Sequence, residues 1–231
     1  MSLYLTIEIC AIAIPLILSF DKNLQFYRNW KSAILSFIIV GSVFITVDIY
    51  FTKYGIWGFN PKYHSPIILF YLPLEEWLFF IVIPYASIFL HYVLVYYFPH
   101  ILMGDKSAKI LSGLLILLLL VVVLFNYTRI YTVFNSIIII LALLLAMMDK
   151  TKIINRFYFS FLIILVPFFM VNSILTGSFI EGEVLLYNSS DILGIRIFTV
   201  PVEDIGYAFS LLLLNLLLMS KFQVLFKNKS T

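Results

Sequence analysis

Two short stretches hold residue types able to move a proton. LPLEEW, from Leu72, sets Glu75 and Glu76 side by side behind Pro73; VPVEDI, from Val200, sets Glu203 and Asp204 behind Pro201. A carboxyl kept from water and close to other carboxyls can retain its proton and act as a general acid, while an ionised neighbour can take a proton or face a cation. Adjacent helical residues point about 100° apart, so the two acids of each motif have different surroundings and different roles. Trp57, Tyr71, Trp77, Phe79, Phe80 and Tyr85 flank the first motif. Phe198, Tyr207 and Phe209 flank the second. Aromatic faces attract cations and exclude water that would quench a carbocation. The plainer alternative is that the acids decorate helix starts, where the helix dipole favours negative charge, and that the aromatics populate a membrane interface.

The elements that must position these motifs are membrane helices. The chain has 231 residues, 63% of them hydrophobic and only 12% charged, with mean hydropathy +1.07; soluble domains carry about 25% charged residues. The pattern predicts an all-α integral membrane protein with seven spans, over about 3–20, 32–51, 70–98, 108–126, 131–148, 156–175 and 198–220. The first stretch has no basic n-region or cleavage site and contains Glu8, so it reads as a helix rather than a signal peptide. With the first loop in the cytoplasm, eleven of the fifteen Lys and Arg lie inside: Lys22, Arg28, Lys31, Lys106, Lys109, Lys150, Lys152, Arg156, Lys221, Lys227 and Lys229. Lys53, Lys62, Arg129 and Arg196 lie outside. This bias predicts a multi-pass protein of the cell membrane with its N-terminus outside and its C-terminus in the cytoplasm.

The two motifs are related by one constant shift along the chain, the step from Pro73 to Pro201, which is 128. The same shift takes Asp21-Lys22 to Asp149-Lys150, Arg28 to Arg156, Asn60 to Asn188 and Phe70 to Phe198. Several matches on one ungapped diagonal predict a duplicated three-helix unit. The expected layout is a first copy over 1–100, a linking helix over 101–127 and a second copy over 128–231. An odd linking helix gives the copies one orientation, hence a pseudo-two-fold axis along the membrane normal. The motifs then share one depth, and four carboxyls converge if both motifs face the axis.

Other chemistries find little support. A net charge of +3 with basic residues spread over short loops gives no nucleic-acid surface. Cys10 is the only cysteine, and it reads as a small helix residue. His64, His91 and His100 lack metal-ligand spacing, so no metal is expected. No glycine-rich nucleotide loop, P-loop or HExxH is present. The last span has no mid-helix lysine for a retinal Schiff base. Asp48, late in the second span, is either a functional intramembrane acid or an interfacial residue. Arg196 either pairs with Glu203 or Asp204 or caps an outer loop.

GIWGFNPKY (from Gly55), LPLEEWLFF (from Leu72) and GIRIFTVPVED (from Gly194) resemble the lycopene cyclase domain family, small flavin-independent membrane cyclases found as two subunits or as one fused chain. The resemblance covers essentially the whole chain, and this sequence looks like the fused form. It implies a lycopene β-cyclase that turns the ψ-ends of lycopene into β-rings by a proton-initiated, redox-neutral reaction without a cofactor. It implies Glu75, Glu76, Glu203 and Asp204 as catalytic, and Asp48, Trp57, Asn60, Asn172, Asn188 and Arg196 as further matching positions for substrate binding, to which the aromatic face of Trp77 is added. The implied partners are lycopene or a related carotenoid within the bilayer, and other carotenoid enzymes. A cyclase for another carotenoid or ring isomer, and a proton-coupled transporter with an acid relay, are the alternative readings.

Overall fold

The computed structural model describes residues 1–228; Lys229, counted above among the cytoplasmic cations, lies outside them. The chain is mostly helical: α1 (Leu3–Leu18), α2 (Trp30–Lys53), α3 (Leu74–Tyr97), α4 (Asp105–Phe125), α5 (Ile130–Met148), α6 (Ile153–Leu175) and α7 (Val202–Asn228), with one 3-10 turn at Phe26–Asn29 before α2. Six stretches, led by Phe26–Lys53 and ending with Val202–Lys227, are long and apolar enough to cross a membrane; α1 is a shorter apolar helix of 16 residues. The protein is therefore membrane-embedded and all-α in its main elements.

Helix ends depart from the sequence reading at the two motifs. The third and seventh helices start at Leu74 and Val202 rather than at 70 and 198. The intervening residues form small antiparallel hairpins, β2 (Ile68–Leu69) with β3 (Leu72–Pro73) and β5 (Arg196–Ile197) with β6 (Val200–Pro201), while β1 (Trp57–Phe59) pairs with β4 (Leu185–Tyr187). Phe70 and Tyr71 adopt φ of 50° and 72°, the left-handed pair that a two-residue hairpin turn requires. Pro73 remains extended at ψ 154° and caps the helix from outside, because a proline has no N–H to leave unpaired at a helix start.

The helices alternate in direction, and the starts of α1, α3, α5 and α7 gather at the hairpin end. There the Tyr4 N–H donates to the Tyr63 carbonyl at 3.1 Å, and the Tyr131 N–H donates to the Asp191 carbonyl at the same distance. At the opposite end Asp105 of α4 forms an ion pair with Lys152 and accepts from Asn155 Nδ2 at 2.6 Å. α3 and α7 are central: α1 and α6 pack on α3, α2 and α5 pack on α7, and α4 lies outside against α5 and α6. Gly206 of α7 admits Ile139 of α5, whose Cδ1 would lie 2.5 Å from an added Cβ. The main core joins Phe37, Tyr85, Phe157, Phe161, Phe209 and Leu213 across α2, α3, α6 and α7.

The β1–β4 ladder has its own symmetry. Trp57 faces Tyr187, Gly58 faces Leu186 and Phe59 faces Leu185. Adding 128 to each β1 position gives the same pairing reversed about Gly58. The flanking bonds follow suit: Asn60 N–H to the Val184 carbonyl and Asn188 N–H to the Ile56 carbonyl are both 2.9 Å.

Candidate active site

Each acid pair sits in the first turn of its helix, where unpaired N–H groups and the dipole favour negative charge. The hairpin before each helix supplies further donors. Glu75 Oε1 accepts from Ser2 Oγ at 2.5 Å and from the Ser65 N–H at 2.7 Å, and Oε2 accepts from Ser65 Oγ at 3.0 Å. Glu203 Oε1 accepts from Thr132 Oγ1 and from the Leu193 N–H, both at 2.6 Å; its Oε2 is buried without a partner. Ser65 and Leu193 are themselves 128 apart, so the same backbone donor serves the first acid of each pair. Each such bond to an ionised carboxylate is worth about 1.5–3 kcal/mol.

The second acids point elsewhere. Glu76 and Asp204, 3% and 6% exposed, line one cavity of about 380 Å³. Glu76 Oε2 accepts a single phenol, Tyr4 Oη at 2.7 Å. Asp204 accepts two, Tyr131 Oη at 2.7 Å on Oδ1 and Tyr187 Oη at 2.8 Å on Oδ2. Burial, reinforced by the Asp204 carboxylate, holds the Tyr187 phenol well above its ordinary value, so Tyr187 remains a donor. The expected convergence of four carboxyls is thus corrected to two, since Glu75 and Glu203 are turned into the hairpins by their donors.

The remaining wall is apolar and aromatic. Tyr4, Trp57, Tyr131, Tyr187 and Tyr207 all line the cavity. Trp57 stands edge-on to Tyr187 at 6.1 Å and tilted against Tyr131 at 5.7 Å. Such faces stabilise a neighbouring cation by about 0.5–2 kcal/mol each. The cavity extends between α1 and α6 past Ile14, Leu18 and Phe168. Ile14 and Leu18 are exposed on the outer surface, so the cavity reaches the lipid-facing side.

Other residues singled out from the sequence fall in three places. Asn172 lines the cavity, its Nδ2 bonded to the Phe168 carbonyl. Asp48 is fully buried rather than interfacial, and its Oδ2 accepts from Tyr207 Oη at 2.8 Å. It therefore fixes a cavity-lining ring from behind, while its Oδ1 has no partner. Asn60 and Asn188 clamp the β1–β4 ladder, with Nδ2 donating to the Glu183 carbonyl at 3.1 Å and to the Gly55 carbonyl at 3.4 Å. Of the two readings of Arg196 the structure shows the loop cap: its guanidinium donates to the Thr199 carbonyl at 2.6 Å and pairs with Glu183 at 3.4 Å rather than with Glu203 or Asp204, and lies 5.8 Å from the Tyr187 ring centre. Trp77 donates to the Leu69 carbonyl and stacks toward Phe70, away from the cavity. His91 is buried against Ser160, remote from both motifs.

Sequence reasoning passed over Tyr4, Tyr131 and Tyr187 as proton-bearing groups, and Glu8 as a buried acid. Tyrosines are frequent in this chain, 15 in all, so identity alone does not separate them. The signal that could have found two of them is Tyr4 and Tyr131 lying 127 apart, each near the start of a helix, α1 and α5.

The model of the lycopene cyclase family matches residues 1–94 and 128–222. The chain belongs to the lycopene cyclase family. The two matched segments contain both acid motifs and every residue named above as lining the cavity, and the stretch they omit contains α4. Membership places the protein among enzymes of carotenoid biosynthesis, as a carotenoid cyclase. Comparison with curated proteins and with solved structures returned no match.

Proposed function

We propose that this membrane protein is a lycopene β-cyclase that converts the ψ-ends of lycopene to β-rings, giving γ-carotene and then β-carotene. The observation that carries this reading is the apolar, aromatic-walled cavity with one carboxyl from α3 and one from α7. A polyene end enters from the bilayer through the opening between α1 and α6. Glu76, held by one phenol, delivers a proton to the terminal double bond. The tertiary cation is attacked by the next alkene, closing the ring, and the aromatic faces of Trp57 and Tyr207 stabilise the positive charge. Asp204, whose two phenol donors make it the better seat for negative charge, removes the ring proton. No electrons are gained or lost, so the reaction needs no electron acceptor. Glu75 and Glu203 anchor the hairpins that set the two acids in place, Asp48 orients Tyr207, and Asn172 contacts the polyene.

The architecture that goes with this reading is seven spans. Two three-helix copies, 1–100 and 128–231, are joined by a linking helix over 101–127, with the N-terminus outside and the C-terminus in the cytoplasm. Supporting the two copies are the Ser65/Leu193 donors, the Asn60/Asn188 clamps and the reversed β1–β4 ladder, all on one shift. Expression in lycopene-accumulating cells tests the function: chromatography is expected to show γ- and β-carotene replacing lycopene. Lycopene left unchanged beside membrane-inserted protein overturns the proposal, and a different ring isomer would reassign only the site of proton removal.

A further inference from the structure

Besides Asp48, which holds the Tyr207 hydroxyl, one deeply buried acid lies on a membrane helix outside both motifs. Glu8 on α1 is 1% exposed, and neither of its carboxyl oxygens has a hydrogen-bond partner among the described residues. Its position is set by helical spacing. Tyr4, Ala11, Pro15 and Leu18 of α1 all line the cavity, and Glu8 falls on that same stripe, one turn after Tyr4 and one turn before Ala11. Glu8 is not itself part of the lining. It stands behind the wall, one helical turn from the phenol that donates to Glu76.

A buried carboxylate with no partner is among the costliest groups a membrane helix can hold, whereas the neutral acid is far cheaper. A leucine would cost nothing, so the retention of an acid here points to a proton. The proposed reaction also creates a need for one. After each ring closes, Glu76 has lost its proton and Asp204 has gained one, and the apolar product fills the space between them. That product excludes the water through which a proton could return. A donor on the same wall as Glu76, behind the lining, is not blocked by it.

Resting on the cyclase reading, we propose that Glu8 is the proton-return residue of this cavity, a positioning group that reloads Glu76 between cyclisations. The Glu8 O–H bond breaks as the Glu76 O–H bond forms, and the proton taken up by Asp204 later replaces the one on Glu8, so the cycle consumes none. The matching place in the other half holds no acid. On the diagonal that matches Tyr4 with Tyr131, the counterpart of Glu8 is Asn135 of α5, an amide whose Oδ1 is likewise buried without a partner.

The test compares wild type, E8Q, E8L and E8D in lipid vesicles loaded with lycopene, following ring formation in the first turnover and at steady state. E8Q and E8L are expected to melt no lower than wild type, because each removes an unpartnered acid. They are expected to form the first ring per enzyme at the wild-type rate, then to slow about tenfold or more, with E8D restoring most of the loss. A second measurement does not depend on ring formation: wild type is expected to show an infrared carbonyl band of a protonated, deuterium-sensitive carboxyl that E8Q lacks. Steady-state turnover of E8Q equal to wild type overturns the proposal. Loss of the first turnover in folded E8Q also overturns it, since Glu8 would then act in the chemistry itself, and so does an unchanged infrared band. A wild type that forms no ring defeats the cyclase reading, and the infrared band then still reports whether Glu8 holds a proton.

Discussion

Glu76 and Asp204 occupy matching positions in the two halves of the chain, yet their neighbours differ. Glu76 receives one phenol and has the unpartnered Glu8 one turn from that phenol's backbone. Asp204 receives two phenols, and the place corresponding to Glu8 is Asn135. The first wall opens to the membrane beside α1, while on the second wall Gly206 lets Ile139 close down on α7. The matching motifs supply two carboxyls to one cavity, but two identical carboxyls would make a poor acid–base pair. In the proposed reaction the difference in donors separates a proton-giving side from a proton-taking side.

Neutralising either acid carries the largest expected effect. E76Q and D204N are each expected to lower ring formation by about 10²–10⁴-fold, read by chromatography of membrane carotenoids. A variant of either that retains wild-type turnover removes that residue from the reaction.

Removing the phenols tests the asymmetry itself. Y131F with Y187F takes both donors from Asp204, and Y4F takes the only one from Glu76. The double variant is expected to lose roughly 10²–10⁴-fold in rate, at about 1.5–3 kcal/mol for each of two donors to a charged group, and Y4F, which loses one, roughly ten- to a hundredfold. Equal losses would show that the two walls are interchangeable.

The anchoring acids should differ in stability more than in activity. In E75Q the new amide must turn its NH₂ toward Ser65 or Ser2, because both Glu75 oxygens are occupied. In E203Q the NH₂ can take the place of the unpartnered Oε2. Thermal melting in detergent is expected to show E75Q destabilised by about 1–3 kcal/mol and E203Q by less. Full activity in both would leave these carboxyls without a part even in positioning.

The smallest effect belongs to the clamps. N60A and N188A each remove a side-chain bond to a carbonyl and the Oδ1 acceptor of a turn, which takes the Lys62 N–H at Asn60 and the Ser190 N–H and hydroxyl at Asn188, at about 1 kcal/mol for each bond. The two losses are expected to be similar, because Asn60 has the shorter carbonyl bond, 3.1 against 3.4 Å, and Asn188 accepts the additional hydroxyl. A large difference between them would mean that the two ends of the β1–β4 ladder are not equivalent.

Much of this was legible in the chain. Apolar runs broken by charge mark each helix because the bilayer demands about 20 apolar residues per crossing. The acid motifs were legible because an acid in such a run has no solvent to justify it. The helix starts at Leu74 and Val202 were misplaced by about one turn. Phe70 and Phe198 look as apolar as the helices that follow, and only a backbone at positive φ turns them into hairpin tips. For Arg196 the sequence left open a pairing with Glu203 or Asp204 or a loop cap; the fold caps the Thr199 carbonyl, and Glu183 reaches the guanidinium across a loop.

Amino-acid order alone specifies a membrane-embedded helical protein with two carboxyl pairs on one shared spacing, and it carries the likeness to the lycopene cyclases. Those properties depend on composition and on one-dimensional spacing. Folding is what brings Glu76 and Asp204 to one cavity while keeping Glu75 and Glu203 out of it, sets Tyr4, Tyr131 and Tyr187 beside those two acids, and stands Glu8 behind the wall. Adjacent residues on a helix diverge by about 100°. Which of two neighbours faces the cavity is therefore set by the hairpin donors and helix packing, brought from residues up to 73 positions away.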